Sequence, residues 1–338
     1  MRRREPTFVS YNISNVCNEA CPMCSVWMRQ GGEVLTIGEM ERIFRDLQGF
    51  GFMVAEISGG EPFLRQDIFD AFAMLDRIGF LYTTATNGTL LTPESIDRLR
   101  HAKGLLQLAV SIDSLDRDTY LRLRGRDLLP RLLENIELLS GARLPMPVKL
   151  NLVMNRFNYR GTMDILSFAK AHRLYLSVFP VNLGEGFLHR SNPEQYFPDE
   201  EERREMAEIF LELARMRKRG EPLWEFSGFY EKAADYVLGR PVGPCDAAGL
   251  YIDLHADGGL SVCVDQPVIA DLRNRSIAEI WPQLAVQREA VARCAAATPC
   301  FYTCTYNISV TAGNIAAFLR ETARIRLRRS AGRPGRGR

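Results

Sequence analysis

No apolar run in the 338 residues approaches the roughly 20 that a membrane-spanning helix needs. The opening Met-Arg-Arg-Arg-Glu-Pro has no apolar stretch of the kind a secretion signal carries, so a soluble, cytoplasmic protein is expected. Charge of neither sign dominates: 43 Lys and Arg against 41 Asp and Glu leave a net +2, which says little about partners. Internal repeats are absent, which removes solenoids and propellers. Histidine is scarce, with four in the chain and none beside the first cysteines. What remains is an ordinary globular composition, 46% hydrophobic and 25% charged, long enough for one large domain or two smaller ones.

Cysteine, by contrast, is present and clustered. The eight fall as Cys17, Cys21, Cys24 and then Cys245, Cys263, Cys294, Cys300, Cys304, with none outside these two groups. In a cytosolic protein such grouping argues for metal binding over disulfides, and the partition suggests two sites. Thiolates are soft ligands that suit zinc, copper(I) or iron–sulfur clusters. A structural zinc site needs four ligands in a closed tetrahedron, usually with C-x2-C pairs. Cys17-Asn18-Glu19-Ala20-Cys21-Pro22-Met23-Cys24 offers three at C-x3-C-x2-C. Three thiolates on one loop can hold three irons of a 4Fe–4S cluster and leave the fourth open, the condition for reactivity. A redox disulfide, a zinc knuckle or a chance cluster are the alternatives.

The surrounding chain alternates. Residues 7–14 read as a strand that delivers the cysteine loop, and 36–49 as a helix with Thr36 and Glu39 in capping-box spacing. A strand at 53–57 ends in Ser58-Gly59-Gly60-Glu61-Pro62. Helix 66–79, strand 81–86, helix 93–103, strand 106–112, helix 128–141, strand 147–154, helix 160–172 and strand 174–180 follow. Apolar strands alternating with helices predict an α/β fold with a parallel sheet and right-handed crossovers. Six such units fall short of a complete eight-fold barrel. From about 184 the pattern changes to a loop, a helix at 199–219, a helical stretch at 226–238 and a hairpin across Gly258-Gly259.

The C-x3-C-x2-C spacing, with apolar Met23 before the last cysteine, resembles the signature of the radical S-adenosylmethionine (radical SAM) superfamily. The resemblance implies a partial (β/α)6 TIM-like barrel with its active site at the strand C-termini. It also implies a 4Fe–4S cluster on Cys17, Cys21 and Cys24 whose open iron chelates SAM. One electron, expected from a flavodoxin- or ferredoxin-type reductant, then cleaves SAM to methionine and a 5′-deoxyadenosyl radical that abstracts a substrate hydrogen. Ser58 to Pro62 looks like the family's GGEP motif, so backbone at Gly59 and Gly60, with Glu61, is expected near the SAM amino group. Asn87, Ser111 and Asp113 follow the third and fourth strands, where the family presents polar contacts to SAM. Arg124 matches an arginine that several members place on the SAM carboxylate, a role that suits a planar guanidinium.

The later cysteines resemble the auxiliary-cluster region of SPASM and twitch radical SAM enzymes. The full SPASM pattern has seven; five here favour one auxiliary 4Fe–4S cluster, the twitch arrangement. Cys245, Cys263 and Cys304 are the firmer expected ligands, with Cys300 and Cys294 competing for the fourth place. A four-cysteine zinc site is the alternative. The resulting division is a radical SAM barrel at 1–183, a helical connection at 184–244, an auxiliary-cluster domain at 245–310, and a helix with a basic tail at 311–338. The tail carries many arginines but is expected to be solvated and disordered, with no clear nucleic-acid or membrane partner.

The expected activity is therefore SAM-dependent radical oxidation of a small molecule, with the auxiliary cluster accepting the second electron. Peptide maturation or epimerisation and a radical cyclisation or rearrangement are the alternative chemistries. A non-catalytic iron–sulfur carrier or zinc module is the alternative class. Aromatic side chains at Phe179, Phe187, Tyr230, Tyr251 and Tyr302 are candidates to line a pocket or simply to fill the core.

Overall fold

A computed structural model of the chain describes residues 6–29, 31–182, 198–243, 245–297, 300–302 and 306–309. Its frame, among the described residues, is a nine-stranded sheet in the order β6-β5-β4-β3-β2-β1-β7-β8-β9, in which the edge strand β9 is Ala270–Asp271. Strands β1 (Phe8–Ser14), β2 (Val54–Gly59), β3 (Leu81–Thr86), β4 (Leu105–Ser111), β5 (Val148–Met154) and β6 (Tyr175–Pro180) are the six expected. Every neighbouring pair among them is parallel. The sheet does not close on itself, so the barrel is partial, as six units require.

Period-2 patterning explains which way each strand faces. On β1, Val9, Tyr11 and Ile13 are buried under the helices, while Ser10 and Asn12 point the other way. On β5, Leu150, Leu152 and Met154 are wholly buried, and Lys149, Asn151 and Val153 take the opposite face. The inner face of the barrel is thus partly polar, and the outer face supplies the core.

Helices cover that outer face: α1 (Ile37–Phe50), α2 (Ile68–Ile78), α3 (Pro93–Leu99), α4 (Arg117–Arg124), α5 (Leu129–Ala142) and α6 (Thr162–Ala171). The capping box of α1 forms, with the Thr36 hydroxyl accepting from Glu39 N–H and the Glu39 carboxylate accepting from Thr36 N–H. Its Phe44 ring meets Tyr11 at 5.6 Å and Phe80 at 5.1 Å, edge-on in both cases. Helix α3 stops at Leu99, short of the expected 103. There the backbone turns its N–H groups to Asp76, which accepts from Lys103 at 2.8 Å and Gly104 at 2.7 Å.

Two features escape the sequence pattern. The segment 251–254 is β7, and it joins the barrel sheet parallel to β1, pairing Phe8 with Tyr251 and Ser10 with Asp253. The expected hairpin, β7 with β8 (Gly259–Ser261), therefore extends the barrel sheet instead of forming a separate one. The other is a long helix, which follows the hairpin of α7 (Glu200–Arg219) and α8 (Phe229–Val237) as α9 (Ile277–Ala297). It packs against α1 through Trp281, whose ring lies 4.9 Å from Phe50. In α8, the Phe229 ring lies 4.9 Å from Phe301 and 5.6 Å from Tyr306. Phe187, Cys304 and the helix and tail expected at 311–338 lie outside the described residues.

Candidate active site

The cysteine loop leaves β1 at Ser14 and is gripped by close backbone approaches. Gly60 N–H donates to Ser14 O at 2.7 Å and Glu61 N–H to Val16 O at 2.8 Å. A Cβ on Gly60 would stand 2.1 Å from Val16 O, so the glycine is there to let the two loops touch. From the other side Ala20 N–H donates to Arg124 O at 3.0 Å, and a Cβ on Gly125 would meet Ala20 O at 2.3 Å. Gly125 also has φ +68, the left-handed cap that ends α4.

Side chains complete the brace. Asn87 donates from Nδ2 to Asn18 Oδ1 at 2.7 Å, and Asn18 donates to Thr89 Oγ1 at 2.8 Å. Glu61 is fully engaged: it accepts from Thr86 Oγ1 at 2.7 Å, Asn87 N–H at 2.7 Å and Phe63 N–H at 3.0 Å. Burial pushes its carboxyl up to about 7 against those hydrogen bonds. Glu19, inside the loop, is 3% exposed and accepts from Tyr120 Oη at 2.6 Å and Arg124 Nη1 at 3.2 Å. Arg124 Nη2 pairs with Asp113 at 2.8 Å, and Asp113 also accepts from Val153 N–H at 2.9 Å. Burial raises the Asp113 carboxyl, opposed by the Arg124 charge.

Cys17, Cys21 and Cys24 line one cavity of about 330 Å³, together with Gly59, Gly60, Glu61, Asn87, Ser111 and Arg124. The structure brings together nearly every residue expected near SAM; Asp113 alone sits behind the wall, reached through Arg124. The rest of the lining is mainly apolar, including Met23, Trp27, Val153, Phe179 and Phe301. Phe179 and Tyr302 of the candidate aromatics line it, whereas Tyr230 is wholly buried core and Tyr251 donates to or accepts from Cys245 Sγ at 3.1 Å. Burial pushes the Cys17 thiol up to about 11 and the Cys21 thiol well above its ordinary value. Without a cation the thiols are neutral, and a metal cluster is what turns such buried thiols into thiolates.

Among the described residues no three Cys, His, Asp or Glu side chains converge on a single-ion site. The donor set suits a cluster: three soft thiols around a cavity, with room beside them. In the C-terminal part, Cys245 and Cys300 lie close enough to Cys263 to act on its charge, and burial raises the Cys263 thiol. Cys294 lies on α9, its side chain outside the described residues, as is the whole of Cys304.

Residues 11–169 match the sequence profile of the Radical SAM superfamily. The chain is 32% identical over 169 residues to the AdoMet-dependent heme synthase of Methanosarcina barkeri, covering 49% of this chain and 47% of that protein. It is 26% identical over 187 residues to the probable GTP 3′,8-cyclase of Sulfolobus acidocaldarius, covering 54% and 59%. The chain thus spans about half the length of the curated relatives it matches. Among solved structures, Streptococcus suis SuiB bound to precursor peptide SuiA superposes with TM-score 0.68 at 16% identity, over 84% of this chain and 67% of that one. anSMEcpe with bound AdoMet and Cp18Cys peptide gives 0.66 at 14%, over 86% and 83%. These likenesses establish the fold. Among the described residues no helix is long and apolar enough to cross a membrane.

Proposed function

We propose that the chain is a radical SAM enzyme acting on a small molecule, or on one side chain of a peptide, held in the cavity beside the cysteine loop. The observation that carries this reading is that cavity itself, which three thiols, the Gly59-Gly60 turn, Asn87 and Ser111 line together. Cys17, Cys21 and Cys24 would hold a 4Fe–4S cluster, and the Gly59 and Gly60 backbone with Asn87 and Ser111 would hold SAM. When bound, the pair supplies a hydrogen-abstracting radical on one-electron reduction by a flavodoxin- or ferredoxin-type donor.

The chain's own residues do the rest. Gly60 and Gly125 fix the loop, Glu61 fixes Asn87 through its backbone N–H, and Trp27, Phe179 and Phe301 keep water from the reacting groups. Cys245, Cys263 and Cys304 are the ligands proposed for an auxiliary 4Fe–4S cluster, with the fourth from Cys300, which lies near Cys263, or from Cys294. Such a cluster would accept the second electron of an oxidation.

Anaerobic reconstitution with iron and sulfide, followed by SAM and dithionite, tests the reading: 5′-deoxyadenosine forms with the wild-type chain and not with Cys24→Ala. No 5′-deoxyadenosine from iron-loaded wild type sinks it. Cys263→Ala is expected to lose about half of the bound iron while still cleaving SAM. Full iron retention in that variant removes the auxiliary cluster.

A further inference from the structure

The most unusual group near the cysteine loop is Glu19, a carboxylate two residues from each of Cys17 and Cys21 yet 3% exposed. A buried carboxylate costs several kcal/mol of hydration unless it is paired. Here the compensation is specific. Tyr120 Oη donates at 2.6 Å and Arg124 Nη1 at 3.2 Å, from residues 101 and 105 positions away. Tyr120 is wholly buried and Arg124 6% exposed, so the network is shielded from water and salt. Arg124 is shared with Asp113, so one guanidinium serves two carboxylates.

Both ends of Glu19 address sulfur. Its backbone N–H donates to Cys17 Sγ at 3.4 Å, and its carboxylate Oε2 lies 3.6 Å from Cys21 Sγ, which donates to it as a thiol. Once Cys21 is a thiolate it has no proton to give, and the Glu19 charge faces the sulfur directly. A fixed negative charge in a poorly solvated site opposes the arrival of a further electron nearby.

We infer that Glu19 is a positioning residue that lowers the reduction potential of the N-terminal cluster, with Tyr120 and Arg124 limiting how far. The inference rests on the radical SAM reading and deepens it. Its consequence is a cluster that is harder to reduce and, once reduced, a stronger donor to SAM. Sequence alone hides this role, because Glu19 reads there as a polar loop residue.

The test is an EPR-monitored redox titration of the signal that changes when SAM is added, with iron per chain measured on the same samples. Glu19→Gln removes the charge and keeps an oxygen for Tyr120 and Arg124; its potential is expected to shift positive with iron content unchanged. Tyr120→Phe keeps every charge and strips one donor from the carboxylate, so its potential is expected to shift negative. A role limited to loop shape would move both variants the same way, or neither. An unchanged or more negative potential in iron-loaded Glu19→Gln overturns the inference, leaving the radical SAM reading intact. If Glu19→Gln binds no iron, Tyr120→Phe decides, and the absence of a negative shift there overturns it. A wild-type chain that binds no iron at Cys17, Cys21 and Cys24 overturns both the inference and the reading beneath it.

Discussion

Gly125 shows how much of the site rests on single atoms. Its φ is +68, and a Cβ at this position would stand only 2.3 Å from Ala20 O, so there is no room for a side chain. Alanine there costs about 1–2 kcal/mol in backbone conformation alone, before the contact with Ala20 is relieved. Gly125→Ala is expected to lose iron binding at the cysteine loop while far-UV circular dichroism stays native. Unaltered iron content would show that the loop can yield. Gly59-Gly60-Glu61 and the three cysteines were legible because their spacing is local. Arg124 was legible as a residue of interest, but its partners were not. Nothing in the sequence joins Glu19 to Tyr120 and Arg124, since those contacts exist only after α4 packs behind the loop.

Among the elements, the six strand–helix alternations read clearly because their patterns are strong: Val9, Tyr11 and Ile13 against Ser10 and Asn12, or Ile43, Phe44 and Leu47 along one face of α1. Short or polar elements read poorly. Helix α4, Arg-Asp-Thr-Tyr-Leu-Arg-Leu-Arg, buries only Tyr120, Leu123 and Arg124, so its apolar signal is thin. Helix α9 contains Pro282 in its first turns, which masks its periodicity. Local chemistry at a helix end was more dependable at α1, whose capping box was legible in the sequence; the structure adds a second box at α7. Thr36→Ala removes one of these and is expected to cost about 1 kcal/mol. Thermal unfolding of the apo chain measures it, and SAM cleavage by the loaded protein should not change.

At the scale of the whole molecule, the C-terminal third is attached to the barrel through β7, and its interior side carries Asp253. That carboxylate is 1% exposed, with Oδ2 accepting from Asn12 Nδ2 at 3.4 Å and Ser261 Oγ at 3.5 Å. His255 Nε2 lies 3.3 Å away, and Glu56 and Asp265 are the other acids acting on it. Burial raises its carboxyl from 3.8 to about 7. The folded state therefore favours the protonated form: this contribution to stability is complete below pH 3.8 and is lost as pH rises through 7. Asp253→Asn should lose that dependence, so the difference in melting temperature between variant and wild type should widen in the variant's favour from pH 5 to pH 8. A constant difference would show that Asp253 does not titrate in this range.

The parallel seat of β7 beside β1 has a bearing on how the chain is made. Phe8 emerges from the ribosome early, and its partner Tyr251 late. Until then one flank of the strand that leads to Cys17 has bare amide and carbonyl groups, the kind of edge that recruits other chains. Iron supplied before residues 251–254 have emerged would meet a loop whose supporting strand is still paired on one side only.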